Sequence, residues 1–306
     1  MRPTDRTGLA IFLSLVALAL FDAMGLVIKH LSSSYSAAEL SAWRNLFGIF
    51  PAIIALALSP QWHRAGRIIR MRQWKLALWR GGIVTFAQLC FYLSLAHMEF
   101  ATASTITYAN ALFMTALAVP LLGEKVGWLR WCAVLVGFVG VILVMQPGAD
   151  TFSPVALLPL GAAALYALVS VTARMVDDDV PSALVNLYSS GASLVGATCL
   201  AMIFGGFTPI QSSTDMWWIV AMGGFGGTAV LCLVISYRMT EQSNLAPFSY
   251  FGIPLAFLLG WMFFDETPWD ALFPGAVLIA AGGLLIIWRE RRRSSPSAAH
   301  LDQEPG

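Results

Sequence analysis

Three charged side chains stand inside otherwise apolar runs of this sequence: Asp22, Lys29 and Arg44. An ionised group in a lipid interior costs roughly 2.5–3.5 kcal/mol on insertion scales, so each asks for a partner or a task. Asp22 and Lys29 are seven residues apart, which on a helix gives nearly the same face two turns apart. With Arg44 on the next apolar run they form the one ionic cluster that the sequence offers within a membrane. Two kinds of chemistry suit it. A cavity-facing trio would bind a charged group of a substrate or exchange a proton. Alternatively, Asp22 and Arg44 would pair and lock two adjacent helices, with Lys29 reaching up to the membrane surface.

Uncharged groups extend the set. Tyr108, Asn110 and Tyr250, with Trp43 and Gln88, combine flat faces and hydrogen-bonding groups within apolar runs, as a site for a planar or amphipathic ligand requires. Ordinary helix packing is the competing reading for each. Glu124 and Glu266 fall at the ends of apolar runs and read as structural or gating residues that fix the turn to the next run. Pro120 and Pro254 are hinge candidates, because proline frees a carbonyl and kinks a helix. The histidines, His30, His63, His97 and His300, lie near run ends or in the tail. There is no HExxH motif, Cys/His cluster or Ser-His-Asp arrangement, so neither catalysis nor a metal or cofactor is expected. The four cysteines lie singly within apolar runs and read as small packing residues.

The elements that must position these groups are membrane spans. Of 306 residues, 58% are hydrophobic and 11% charged, and the mean hydropathy is +0.73. A soluble domain carries about 25% charged residues. The formal net charge of +1 argues against a nucleic-acid partner. Ten runs of about 20 residues fit a bilayer: 8–30, 38–58, 76–96, 101–122, 128–146, 155–175, 182–204, 216–237, 245–264 and 269–288, here spans 1 to 10. With a cytoplasmic N-terminus, all but Lys29 and Arg44 of the 18 basic residues fall on the inner side. The expectation is therefore an all-α inner-membrane protein with both termini cytoplasmic.

A register of matches at one offset of 142 residues joins the halves: Gly81-Gly82 with Gly223-Gly224, Leu89-Cys90 with Leu231-Cys232, Glu99 with Glu241, Tyr108 with Tyr250, Glu124 with Glu266, and Gly140 with Gly282. Five spans per half, an odd number, means that the second half enters the membrane inverted. The expected division is 1–148, 149–293 and a disordered cytoplasmic tail, 294–306. Inverted repeats are a recurrent design of secondary transporters. The absence of a Walker motif leaves an ion or substrate gradient as the energy source.

The run Ala101-Thr102-Ala103-Ser104-Thr105-Ile106-Thr107-Tyr108-Ala109-Asn110, then Leu121-Leu122-Gly123-Glu124-Lys125 and Gly137-Phe138-Val139-Gly140, resembles the EamA type of the drug/metabolite transporter superfamily. Ala246-Pro247-Phe248-Ser249-Tyr250 and Phe264-Asp265-Glu266 are similar to that family's second repeat, with Asp265 where a glycine is usual. Phe21-Asp22-Ala23, Lys29 and Arg44-Asn45-Leu46-Phe47 resemble members that carry riboflavin or S-adenosylmethionine. The resemblance implies two inverted five-helix repeats around a central cavity and alternating access for a small amphipathic or zwitterionic metabolite. The alternatives are a multidrug or amine exporter of the same fold and, more remotely, a receptor or assembly subunit. The implied partners are the substrate, the lipid bilayer and a coupled proton or counter-substrate, in a monomer or homodimer.

Overall fold

The computed structural model describes residues 7–123, 127–145, 154–177, 180–239, 245–266 and 273–294. Glu124 and the tail beyond 294 lie outside the described residues. The described chain is helical throughout, with no strand. Seven helices are long and apolar enough to cross a membrane, and three shorter apolar helices bring the described set to the ten runs read from the sequence.

Span 1 is Thr7–Leu31 and span 2 is Ala37–Ala57, opened by a capping box in which Ser36 and Glu39 satisfy each other's backbone N–H. A single short turn therefore joins the two. Spans 3, 5, 7 and 8 are Trp74–His97, Trp128–Met145, Ser182–Ile203 and Ser213–Met239. Span 6 is a 3₁₀ turn, Pro154–Ala156, running into Leu157–Ala173. Span 10 is Gly275–Ser294 and begins later than expected, directly after Pro274, which has no N–H to donate. Its arginine-rich end carries the helix past the apolar stretch that hydropathy detects.

Spans 4 and 9 are interrupted. Span 4 is Phe100–Thr107 followed by Asn110–Leu122, joined through Tyr108 and Ala109, where the Ala109 N–H bonds the Ile106 carbonyl at 3.0 Å in a tightened turn. Span 9 opens as a 3₁₀ stretch, Ala246–Phe251, before Gly252–Phe264. Pro254 falls in the first turn of that α-helix, where its missing N–H breaks no intrahelical bond. Pro120 falls in the last turn of span 4, just before the helix ends in a left-handed residue, Gly123 at φ 68°. Span 9 ends the same way at Asp265, φ 55°, one of the few side chains that tolerate this region.

Most helix contacts join one half of the chain to the other. Span 1 packs on span 8 and span 3 on span 6; span 2 packs on span 8 and span 3 on span 7; spans 2 and 7, 4 and 9, and 5 and 10 face each other. Exchanging the first five spans with the last five maps this pattern onto itself. Glycines permit the close crossings. A Cβ at Gly140 would stand 2.6 Å from the Gly275 carbonyl oxygen, and one at Gly282 2.8 Å from that of Ala133, so spans 5 and 10 meet backbone to backbone. Gly223 and Gly227 seat span 8 on Phe47 and Pro51 of span 2. Large apolar side chains such as Phe12, Phe50, Ile54, Ile142, Trp217 and Trp261 are exposed around the bundle, where lipid covers them.

Candidate functional site

One face of span 1 carries Asp22, Gly25 and Lys29, and it looks toward spans 4 and 9. A Cβ at Gly25 would stand 2.8 Å from the Phe100 ring, which fixes the direction of that face. The Lys29 ammonium makes an ion pair with Glu266, the one ion pair among the described residues. It also donates to the Met98 carbonyl at 2.9 Å and lies 5.0 Å from the centre of the Phe264 ring. The other oxygen of Glu266 accepts from the Phe100 N–H at 2.7 Å. That N–H is an orphan donor of the first turn of span 4, where a carboxylate also meets the positive end of the helix dipole. Glu266 thus clasps the ends of spans 1, 4 and 9 together, rather than only fixing the turn to its own next span. A shallow cavity of about 480 Å³, lined by Lys29, Leu95, Met98, Glu99, Phe264 and Glu266, lies over the clasp.

The same end of the bundle is closed a second time. Glu39, 2% exposed, accepts from the Thr208 N–H. Tyr35, 3% exposed, donates to Asp215 at 2.9 Å and accepts from the Gln211 N–H at 3.0 Å. The Trp43 ring meets Phe207 edge-on, with centres 5.5 Å apart. The segment between spans 7 and 8 is thereby held down over the turn between spans 1 and 2.

Asp22 and Arg44 do not pair, so the locked-pair reading is corrected. The reason is azimuth. Met24 sits 200° round span 1 from Asp22, at 100° per residue. Met24, not Asp22, shares the Gly226 surface of span 8 with Arg44: a Cβ at Gly226 would lie 2.6 Å from the Met24 sulfur and 2.9 Å from the Arg44 Nε. Arg44 donates instead to Asn45 Oδ1 at 3.0 Å. Lys29 does not snorkel free; it ends in the clasp.

Beneath the closed end lies a layer of buried polar atoms that make no hydrogen bond: Asp22 Oδ2, Trp43 Nε1, Arg44 Nε, Tyr92 OH and Thr105 Oγ1. Counting at 1.5 Å per residue from their helix ends, they sit about 8–13 Å deep. Tyr108, at the interruption of span 4, is at the same level and within electrostatic range of Asp22; its hydroxyl rests on Gly252 of span 9. Asn110 is the first helical residue beyond that interruption and is half-buried. Tyr250, in the 3₁₀ stretch of span 9, points its hydroxyl at Gly283 without a hydrogen bond. From Arg44 a narrow crevice lined by Gly48, Pro51, Asn186, Ser190 and Gly227 runs toward the opposite end of the bundle.

Gln88 is committed elsewhere. Its carbonyl accepts from Ser41 and from Asn45 Nδ2, both at 2.8 Å, and Asn45 Nδ2 also reaches Ser193 at 3.1 Å. Its amide donates back to Asn45 Oδ1 at 3.3 Å. This fully buried network ties spans 2, 3 and 7. Asn45, Glu39 and Tyr35 were not singled out from the sequence, although an asparagine inside an apolar run and a Ser36-x-x-Glu39 box are legible signals.

Residues 8–146 match the profile of the EamA-like transporter family. The S-adenosylmethionine uptake transporter of Rickettsia prowazekii is 26% identical over 226 residues, covering 73% of this chain and 74% of that protein. The riboflavin transporter of Vibrio cholerae is 30% identical over 186 residues, covering 60% and 61%. A solved crystal structure with 19% sequence identity superposes with a TM-score of 0.61 over 94% of this chain and 99% of its own, so the fold extends over both halves.

Proposed function

We propose that this chain is a small-metabolite transporter of the drug/metabolite superfamily, since residues 8–146 match the EamA-like transporter family and similar proteins are named as S-adenosylmethionine and riboflavin transporters, and that it is a secondary active transporter working by alternating access between two inverted five-helix halves. Its substrate is an amphipathic or zwitterionic metabolite of the riboflavin or S-adenosylmethionine kind. One observation carries the reading: a layer of unpartnered polar atoms, Asp22 and Arg44 among them, buried beneath an end closed by a clasp. Burying a polar atom without a partner costs roughly 1–3 kcal/mol, so such a layer persists where a ligand or water uses it. Transporters place such sites beside interrupted helices at matching positions of the two halves. Here the interruptions fall at Tyr108 and around Tyr250, which the 142-residue register relates.

The inverted arrangement is supported by the exchange-symmetric contacts and by the paired left-handed ends at Gly123 and Asp265. On this reading the arginine-rich loops face the cytoplasm and the Lys29 end faces out of the cell, so the conformation described is the outward-closed one. The test is uptake of radiolabelled S-adenosylmethionine and riboflavin into proteoliposomes of the purified chain, with a gradient of protons or of unlabelled metabolite. The expected result is gradient-dependent accumulation of one of them, reduced at least about tenfold by Asp22→Asn, the scale of one charge-assisted hydrogen bond. Accumulation that ignores every gradient, or full-rate transport by Asp22→Asn, would refute the mechanism.

A further inference from the structure

Asp22 and Arg44 flank one buried face of span 1. The sector of that helix between Met24 and Asp22 spans 160° at 100° per residue. It carries Phe21, Gly25, Ile28 and, two turns from Asp22 toward the helix end, Lys29; Gly25 and Ile28 are buried, and Gly25 is covered by the Phe100 ring. On one flank the Asp22 carboxylate stands on the side of spans 4 and 9, with Tyr108 within electrostatic range. On the other the Arg44 guanidinium lies against Gly226 of span 8. The Tyr92 hydroxyl, in electrostatic range of Arg44, is buried and unpartnered. Asp22 is nine residues from the Leu31 end of span 1 and Arg44 seven from the Ala37 end of span 2, so both stand about 10–13 Å deep.

The bundle therefore holds one acidic and one basic side chain at about the same level that do not pair with each other. In a low-dielectric interior each unpaired charge is costly. A ligand bearing both complementary charges relieves both costs at once. A neutral ligand relieves neither, and a ligand with a single charge leaves the opposite one stranded. We propose that the substrate is a dipolar ion bridging these unpartnered groups, its cationic group against Asp22 and Tyr108 and its carboxylate against Arg44 and Tyr92. This rests on the transporter reading above and narrows its substrate class.

The test uses matched probes that differ only in the carboxylate: S-adenosylmethionine and its decarboxylated form, arginine and agmatine, tryptophan and tryptamine, with riboflavin as the neutral comparison. Binding to the purified full-length protein is measured by equilibrium dialysis. At least one dipolar compound is expected to bind about tenfold or more tightly than its decarboxylated partner, as one charge-assisted contact requires. Arg44→Gln should abolish that ratio by weakening only the dipolar member, Arg44→Lys should keep part of it, and Asp22→Asn should weaken both members alike. The proposal is overturned if no dipolar compound outbinds its partner, if Arg44→Gln weakens both members equally, or if riboflavin outbinds them all. The outcomes also separate this idea from the one it rests on. Proteoliposomes that accumulate riboflavin alone leave the transporter standing and remove the dipolar substrate; proteoliposomes that accumulate none of the compounds remove both.

Discussion

Removing the Glu266 carboxylate should open the Lys29 end of the bundle by a calculable amount. Glu266 makes two charge-assisted contacts, one with Lys29 and one with the Phe100 N–H, and its side chain is 13% exposed against 15% for Lys29. Hydrogen bonds to charged groups contribute about 1.5–3 kcal/mol. Glu266→Gln keeps an oxygen for the Phe100 N–H and loses only the charge. Lys29 is not stranded by this, since Met98 O at 2.9 Å and the Phe264 ring at 5.0 Å remain. The cost should therefore stay near 1–2 kcal/mol, below the roughly 3–5 kcal/mol of breaking a fully buried pair. At 1.4 kcal/mol per factor of ten, the closed-to-open ratio falls about 5–30-fold. Glu266→Ala also removes the cap on span 4, for about 1 kcal/mol more and a further factor of about 5. The assay is the labelling rate of a cysteine at Ala103, which is fully buried behind the clasp, by a membrane-impermeant thiol reagent. The background lacks Cys90, Cys132, Cys199 and Cys232. Rates should rise in the order wild type, Glu266→Gln, Glu266→Ala. Three equal rates, with all proteins folded, would show that the clasp is a static staple and not part of a gate.

Two further outcomes follow from the interior contacts. Asn45→Ala should lower the thermal midpoint in detergent, at a cost of about 1–3 kcal/mol, because Gln88 and the Arg44 Nη1 each lose a buried partner; a midpoint equal to wild type would mean that water replaces the network. Gly140→Val should cost at least the roughly 1–3 kcal/mol of overpacking, because the new side chain meets the Gly275 backbone. Gly224→Ala, with nothing within 4 Å, should be silent; size-exclusion profiles of the two variants that look alike would contradict this crossing of spans 5 and 10.

Hydropathy and turn chemistry were enough to locate the ten runs, since a bilayer demands about 20 apolar residues whatever surrounds them. The family resemblance was likewise legible, in the motifs around Tyr108, Gly123 and Tyr250. The register between Gly123 and Asp265 also survives into geometry: both residues end their helix left-handed, although only one is glycine. Helical periodicity correctly put Asp22 and Lys29 on one face. What it could not supply was the rotation of one helix against another. Azimuth depends on how side chains from distant runs fill the shared interior, and no local pattern encodes it. Lys29 thus finds Glu266, 237 residues away, while Arg44 turns from Asp22 toward Gly226 and Asn45 takes up Gln88. The sequence alone determined which residues are buried in the membrane and how deep; only the tertiary structure decided which of them meet, because pairing in a helical bundle is set by the relative rotation of helices held in place by contacts with every neighbour at once.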